Sequence, residues 1–161
     1  MLDCLIIGGG PAGLTAAIYL ARFHLAVTVV DAGQSRALWI PETHNHAGFP
    51  EGISGADLLA RMRQQATQYG THILEREVSH IARDGDHFVL NDNEDGIVAR
   101  AVLLATGVVN RRPDIDEGLH AQALGAGRLR YCPICDGYEV TDQKVGVIGT
   151  GERGLKEAVR Y

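Results

Sequence analysis

A glycine-rich turn near the start of the chain restricts the fold more than any other feature. Residues 8–13 read Gly-Gly-Gly-Pro-Ala-Gly, and the six residues before them, Leu2 to Ile7, form a continuous apolar run. Such a run is typical of a strand that is covered on both faces in a parallel sheet. The apolar positions after the turn recur at helical spacing: Leu14, Ala17, Ile18 and Ala21. A valine-rich run over 26–30 follows, so the pattern predicts a βαβ unit of about thirty residues.

This first glycine turn (residues 8–13) also predicts a dinucleotide site. Glycines permit a tight turn and let the backbone approach a pyrophosphate, whose charge then lies at the N-terminus of the helix. Asp31 ends the second predicted strand, about twenty residues beyond the turn, where a carboxylate can accept hydrogen bonds from a ribose diol. The alternative is a glycine turn without a ligand. The candidate contacts are Gly8, Gly10, Pro11, Ala12, Gly13 and Asp31.

A loop is predicted over residues 34–50. The capping-box pattern at 54–57 then predicts the start of a helix, which is expected to run to about Tyr69. The pattern then shortens to strand-length pieces, which predict a small antiparallel insertion with a turn over 91–96. These pieces are Glu77–Ala82, His87–Leu90 and Ile97–Ala99. A buried strand over Ala101–Ala105 and a polar linker through Arg130 come next, and Lys144–Ile148 is predicted to be the strand that opens a second βα unit.

The predicted fold class is therefore α/β. Residues 1–112 are expected to form a Rossmann-like domain with a parallel sheet and the small antiparallel insertion. Residues 113–161 are expected to hold a linker, a Cys-x-x-Cys motif and the beginning of a second Rossmann-like domain. A second glycine turn, Gly149-Thr-Gly151-Glu-Arg-Gly154, supports that second domain.

The Cys-x-x-Cys motif (residues 132–135) lies between the two glycine turns and is followed at once by Asp136. Two thiols at this spacing can close a small disulfide ring, and a thiolate stabilised by a nearby cation or helix N-terminus attacks disulfides. Asp136 is placed by sequence to manage the protons of exchange. Two alternatives are a zinc site and a structural turn whose thiols do not react. A structural zinc site needs four ligands, and this single Cys pair supplies only two of them. Cys4 lies in the first apolar run and is interpreted as a buried hydrophobe.

Charge and hydropathy exclude several classes of function. The net charge of -5 argues against a nucleic-acid partner, because phosphate binding needs a basic face. No segment approaches the roughly 18 apolar residues of a membrane span, and the first apolar run lacks a preceding basic region. We therefore expect a cytoplasmic protein with neither a nucleic acid nor a membrane as partner. Because only one Cys-x-x-Cys pair is present, we also expect no metal site.

Five segments in this order resemble the low-molecular-weight thioredoxin reductase family of flavoproteins, along nearly the whole chain. They are residues 8–13, 45–55, 105–107, 132–137 and 145–154. The resemblance implies that the first glycine turn binds FAD and the second binds NADPH through Gly149, Gly151 and Gly154. It places Asn45 beside the flavin ring and Thr106 and Gly107 in the FAD site, and Val78 and Ala105 are further candidate contacts. Gln34 is also a candidate contact, although its loop lacks the Gly-Gly-Gln run that the family has near the flavin pyrophosphate.

The same resemblance assigns roles to the thiols. Cys135 would react with the flavin, Cys132 would exchange with the substrate disulfide, and Asp136 would donate and accept protons. The implied function is an NADPH-dependent flavoprotein disulfide reductase acting on a thioredoxin-like protein or a small-molecule disulfide. Pro-Ile stands inside the motif where the family commonly has Ala-Thr, which changes the stiffness of the turn.

Two other functions remain open, a dithiol oxidase that uses flavin and oxygen and a non-catalytic flavin-binding module. The resemblance also implies a homodimer at full length. In the family the chain returns from the NADPH domain to complete the flavin site. We therefore expect residues 1–161 to be part of a chain of about twice the length and unable to turn over NADPH alone. His44 and His46 flank Asn45 and are either catalytic or pH-sensing groups or solvated loop residues. Trp39 either shields a flavin or packs its own loop.

Overall fold

The computed structural model describes residues 1–90 and 96–159. The chain divides into two compact units. The first unit consists of Met1–Leu38 and Gly55–Val109, and the second of Trp39–Ser54 and Asn110–Tyr161. The first glycine turn belongs to the first unit, whereas the Cys-x-x-Cys motif and the second glycine turn belong to the second.

The first unit is built on one six-stranded mixed sheet. Its strands are β1 (Leu2–Ile7), β2 (Val27–Asp31), β3 (His72–Glu75), β4 (Ala82–Asp84), β5 (His87–Leu90) and β6 (Ile97–Leu104). The spatial order is β3-β2-β1-β6-β5-β4; the first four strands are parallel, and β5 and β4 continue the sheet in antiparallel pairing. The predicted α/β class, a Rossmann-like parallel sheet with an antiparallel insertion, is confirmed.

The strands of the first unit differ from the prediction in three places. The two strands predicted over Ile97–Ala99 and Ala101–Ala105 form one continuous strand, β6. It is continuous because β1 pairs with it up to Leu104 on one side, while β5 pairs with its beginning on the other. The piece predicted over Glu77–Ala82 is irregular, and β4 starts only at Ala82. The parallel strand β3 was not predicted, since its four residues are too few to show a pattern. Of the predicted turn over 91–96, residues 91–95 lie outside the described residues.

Both faces of the two central parallel strands, β1 and β2, are covered. One face carries the buried cluster Leu5, Ile7, Val30, Leu90 and Ala99. Helix α1 (Pro11–Arg22) packs on the other face of β1, where Ile6 points, because successive strand residues alternate between faces. Helix α2 (Gly55–Gln68) packs beside α1 and has the extent predicted from the sequence.

Over its described residues, the second unit contains three α-helices, a short 3-10 helix over Tyr138–Val140 and an isolated β-bridge between Thr43 and Ile53. The α-helices are α3 (Glu117–Gly125), α4 (Pro133–Asp136) and α5 (Gly151–Ala158). Helix α3 replaces the predicted linker, and its N-terminus is capped by Asp116, whose side chain accepts a hydrogen bond of 3.0 Å from the Leu119 N–H.

The strand predicted over Lys144–Ile148 is not formed, although α5 follows it as expected. A strand needs a neighbour for its backbone groups, and none of the described strands pairs with this segment. Ile148 is accordingly 77% exposed. Over residues 1–90 and 96–159, no helix has the length and apolar character needed to cross a membrane.

Candidate functional site

The first glycine turn joins three backbone segments at van der Waals contact. Gly8 has a φ of +109°, and a Cβ added to it would lie 2.3 Å from the carbonyl oxygen of Ala105, just after β6. A Cβ added to Gly13 in α1 would lie 1.9 Å from the carbonyl oxygen of Gly8. Side chains are therefore sterically excluded at both positions, and the start of α1 lies directly against the end of β1.

The N-terminus of α1 suits an anionic group. Gly10 is the N-cap residue and makes no side-chain cap hydrogen bond, while Pro11 occupies the first helical turn. The first N–H groups of a helix have no partner within the helix and carry partial positive charge. With no capping side chain over them, these groups fit the pyrophosphate of a dinucleotide.

The other residues of the first unit that are predicted to contact FAD differ in how exposed they are. Thr106 and Gly107 are exposed directly after β6, and Gly107 has a φ of +70°. Gln34 is exposed in the loop after β2. Val78 is partly buried and packs against the apolar cluster of the sheet. Exposed backbone beside the first glycine turn is compatible with ligand contact, and the role of all four residues stays a prediction.

Asp31 is buried and already has a charged partner. Its carboxylate accepts a hydrogen bond from the guanidinium of Arg63 on α2. A Cβ added to Gly9 would lie 2.5 Å from the same carboxylate, so Asp31 also lies directly under the first glycine turn. Arg63 Nη1 is 3.6 Å from Glu75 as well. The predicted ribose contact of Asp31 remains a prediction. Sequence patterns gave no sign of Arg63, which is 32 residues away in the chain.

The Cys-x-x-Cys motif forms a closed disulfide between Cys132 and Cys135, with a Cα–Cα distance of 5.2 Å. Cys132 is the N-cap residue of α4, and its carbonyl oxygen accepts hydrogen bonds of 3.1 Å from the N–H groups of Cys135 and Asp136. In the described part of the chain, no three His, Cys, Asp or Glu side chains are grouped as metal ligands would be. Cys4 is a free, buried thiol, and desolvation by burial raises its pKa.

Asn45 contacts the Cys-x-x-Cys motif directly. Its Nδ2 donates a hydrogen bond of 3.0 Å to the carbonyl oxygen of Cys135, 90 residues away in the sequence. Its Oδ1 accepts a hydrogen bond of 2.8 Å from the hydroxyl of Thr43, which pairs in turn with Ile53 through backbone hydrogen bonds. The loop over 39–54 is thereby tied to the C-terminal cysteine. The predicted contact of Asn45 with a flavin ring stays a prediction.

Asp136 is held on the side of α4 that faces Arg130. The Nε of Arg130 is 3.6 Å from the carboxylate of Asp136, and only 19% of the Asp136 side chain is exposed. Arg130 also donates a hydrogen bond of 3.3 Å from Nη1 to the carbonyl oxygen of Leu124 in α3. A cation therefore lies beside the acid that follows the disulfide, and sequence analysis did not identify it.

An aromatic cluster lies immediately before the disulfide. The side chain of His120 on α3 is 2.6 Å from the hydroxyl of Tyr131 through its Nε2. Trp39 lies edge-on to His120 at 6.2 Å and tilted against Tyr131 at 6.0 Å, and the guanidinium of Arg112 stacks on the indole at 4.9 Å. Desolvation by burial raises the pKa of Tyr131, although Arg112 lowers it and Glu117 raises it further. Trp39 thus packs the loop down, as one of the two sequence interpretations proposed.

The second glycine turn shows the close approach expected of a nucleotide-binding turn. A Cβ added to Gly149 would lie 2.8 Å from the Cα of Gly154, and one added to Gly154 would lie 2.8 Å from the backbone of Gly149. Gly151 has a φ of +63° and begins α5, which has no side-chain cap. These three predicted NADPH contacts are brought together, and their role remains a prediction.

The chain matches known proteins over almost all of its length. A family model described as pyridine nucleotide-disulphide oxidoreductase matches residues 2–161. The thioredoxin reductase of Mycolicibacterium smegmatis is 34% identical over 158 residues, which is 97% of this chain and 50% of that protein. The thioredoxin reductase of Streptomyces coelicolor is 32% identical, over 97% of this chain and 49% of that protein.

Solved structures agree with the sequence comparison. The crystal structure of thioredoxin reductase from Streptococcus pyogenes superposes with a TM-score of 0.87 at 29% identity, covering 99% of this chain and 52% of that one. The chain spans about half the length of the curated relatives it matches.

Proposed function

Because this chain belongs to the pyridine nucleotide-disulphide oxidoreductase family, we propose that it carries part of an FAD-dependent, thioredoxin-reductase-like disulfide oxidoreductase. Electrons would pass from NADPH through the flavin and the Cys132/Cys135 pair to a protein or small-molecule disulfide. The observation that supports this most is the closed Cys132–Cys135 disulfide, with Asp136 beside it, in a chain that also has two glycine turns of nucleotide-binding shape.

The first glycine turn is proposed to hold FAD. Gly8 and Gly13 keep the strand, the turn and α1 close enough for backbone N–H groups to reach a pyrophosphate. Thr106 and Gly107 are proposed to line the same site from the end of β6. FAD supplies the relay of an electron pair between a nicotinamide and a disulfide. Gly149, Gly151 and Gly154 are proposed to receive the NADPH pyrophosphate in the same manner.

The reduced thiol pair is proposed to act by thiol–disulfide exchange. The thiolate of Cys132 attacks one sulfur of the substrate disulfide; that S–S bond breaks, and a mixed disulfide forms. Cys135 then attacks the sulfur of Cys132 and releases the second substrate thiol. One disulfide is reduced and one is formed, so two electrons and two protons reach the substrate. Asp136 is proposed to transfer these protons, and Arg130 to hold its carboxylate in place.

The decisive experiment follows the flavin spectrum anaerobically. The full-length protein is loaded with FAD and mixed with NADPH, and oxidised thioredoxin or a small disulfide is then added. Bleaching by NADPH followed by reoxidation by the disulfide is expected. Bleaching by dithiols alone, with reoxidation by oxygen, would instead establish a dithiol oxidase. Bound flavin that no donor bleaches would leave a flavin-binding module.

Cysteine variants provide the matched controls. Cys132→Ser and Cys135→Ser are each expected to abolish reduction of the disulfide substrate, because exchange needs both thiols. Cys4→Ala removes the free thiol of β1, which lies outside the disulfide, and is expected to retain the reaction. Retained disulfide reduction in Cys135→Ser would contradict the proposed chemistry.

The partner and the setting belong to the same proposal. A thioredoxin-like protein is proposed as the partner because the relatives that cover this chain are thioredoxin reductases. We also propose a cytoplasmic homodimer, on the basis of the family resemblance.

A further inference from the structure

The residues before the disulfide are held by α3 at two consecutive positions. His120 on α3 is only 3% exposed and forms its 2.6 Å hydrogen bond with the hydroxyl of Tyr131, which directly precedes Cys132. One residue earlier, Arg130 donates to the carbonyl oxygen of Leu124, near the end of α3. The backbone that enters the Cys-x-x-Cys motif is therefore fixed to a helix through side chains.

The rings around this hydrogen bond limit its movement. Trp39 contacts both His120 and Tyr131, and Arg112 stacks on Trp39 while its Nη1 lies 2.7 Å from the carboxylate of Glu117 on α3. The His120–Tyr131 hydrogen bond is partly buried, and the surrounding rings limit the access of water that would compete for either group, which strengthens the bond. The far end of the motif is held as well, by Asn45 at the carbonyl oxygen of Cys135.

We propose that His120 is a positioning residue that stabilises the disulfide form of Cys132–Cys135 by anchoring Tyr131. Fixing the backbone on both sides of the motif keeps the two sulfur atoms close and raises their effective concentration. The anchored pair then favours the disulfide over the dithiol, which places its reduction potential at a more negative value. His120 has this role in catalysis only if Cys132–Cys135 is the redox pair of the proposed function.

The test is a redox titration of the whole chain against mixtures of reduced and oxidised glutathione. Two glutathione thiols reduce one Cys132–Cys135 disulfide and form one glutathione disulfide. The dithiol fraction is read from the mass added by a thiol-alkylating reagent after unfolding, and Cys4 adds one constant label. This measurement requires neither flavin nor NADPH.

Tyr131→Phe removes the hydroxyl and keeps the ring against Trp39. It is expected to shift the equilibrium constant about threefold to tenfold towards the dithiol, the range of one net hydrogen bond. A tenfold shift corresponds to about 30 mV for this two-electron couple. His120→Ala should shift the equilibrium in the same direction, and His120→Gln should recover part of the shift, because its amide can bond the hydroxyl. Tyr138→Phe removes an exposed hydroxyl and should match the parent.

A Tyr131→Phe equilibrium equal to that of Tyr138→Phe, or shifted towards the disulfide, would overturn the role of His120. If His120→Ala fails to fold, Tyr131→Phe still decides the question, since it retains the packed ring. The proposed oxidoreductase function is tested separately, by the flavin spectrum of the parent protein. It fails if neither NADPH nor a dithiol bleaches that flavin. A redox shift in Tyr131→Phe with an unbleached flavin would therefore refute the oxidoreductase and leave the positioning effect intact.

Discussion

Replacing Gly13 by alanine tests the first glycine turn. The added Cβ would lie 1.9 Å from the carbonyl oxygen of Gly8 and 3.2 Å from Cγ2 of Ile6, whereas real Cβ contacts are essentially never shorter than 3.0 Å. The obstacle is backbone, so α1 must move away from the turn by roughly 1 Å. Overpacking of this kind lowers the free energy of unfolding by about 1–3 kcal/mol, and the better helix propensity of alanine offsets about 0.5–1 kcal/mol of that loss. We expect a net destabilisation of about 1–2 kcal/mol.

The assay is urea unfolding combined with FAD binding. With a urea dependence of about 2 kcal/mol per M, the unfolding midpoint should fall by about 0.5–1 M. Displaced helix N–H groups should also weaken the proposed FAD binding by about tenfold to hundredfold, the loss expected for one hydrogen bond to a charged group. FAD binding is followed by flavin fluorescence.

Gly125→Ala is the matched control for this substitution. Gly125 also lies in a helix, but a Cβ added there meets nothing within 4 Å. Its midpoint should stay unchanged or rise slightly, because only helix propensity acts. A Gly13→Ala protein as stable as Gly125→Ala, with unchanged FAD affinity, would refute the close-contact argument for the first glycine turn.

Three further outcomes follow from buried charges and hydroxyls. Arg63→Met should lower the free energy of unfolding by about 1–3 kcal/mol in urea melts, because Asp31 loses its partner while remaining buried; an unchanged midpoint would contradict this. Arg130→Ala should displace the Asp136 carboxylate and slow disulfide exchange, and Arg130→Lys should recover part of the rate. If both variants react as fast as the parent protein, Arg130 has no role in the site. Burial raises the pKa of Tyr131 above its ordinary value of 10.0, so its phenol should ionise late in an absorbance titration. The contribution of the neutral phenol to stability should be complete below pH 10 and lost as the pH rises through the raised pKa. If the Tyr131 phenol instead ionises at its ordinary pKa, the argument from burial is wrong.

The first half of the fold was predictable because its signals are local. An apolar run, a glycine turn and a helical repeat follow one another within residues 2–31, and each specifies its own element. The Cys-x-x-Cys motif is similarly local, since two residues between cysteines allow ring closure. Helix α3 was missed because its apolar residues show little one-sided pattern, and its start depends on the cap by Asp116.

Pairing between strands was the weakest part of the sequence prediction. Strand β3 has only four residues, and β2 holds it in parallel register. Lys144–Ile148 has the apolar character of a strand and stays irregular, with no neighbour among the described strands. Whether a short apolar run becomes a strand depends on available backbone partners, which local sequence does not reveal.

The sequence by itself determined where glycine is required, which cysteines form the pair and which acid follows them, because these depend on residue type and spacing. Only the tertiary structure decided which groups meet. It joined Arg63 to Asp31 across 32 residues and Asn45 to Cys135 across 90. It also placed His120 against Tyr131, beside the disulfide. Such contacts arise when separate elements pack around a common core, so no local spacing predicts them.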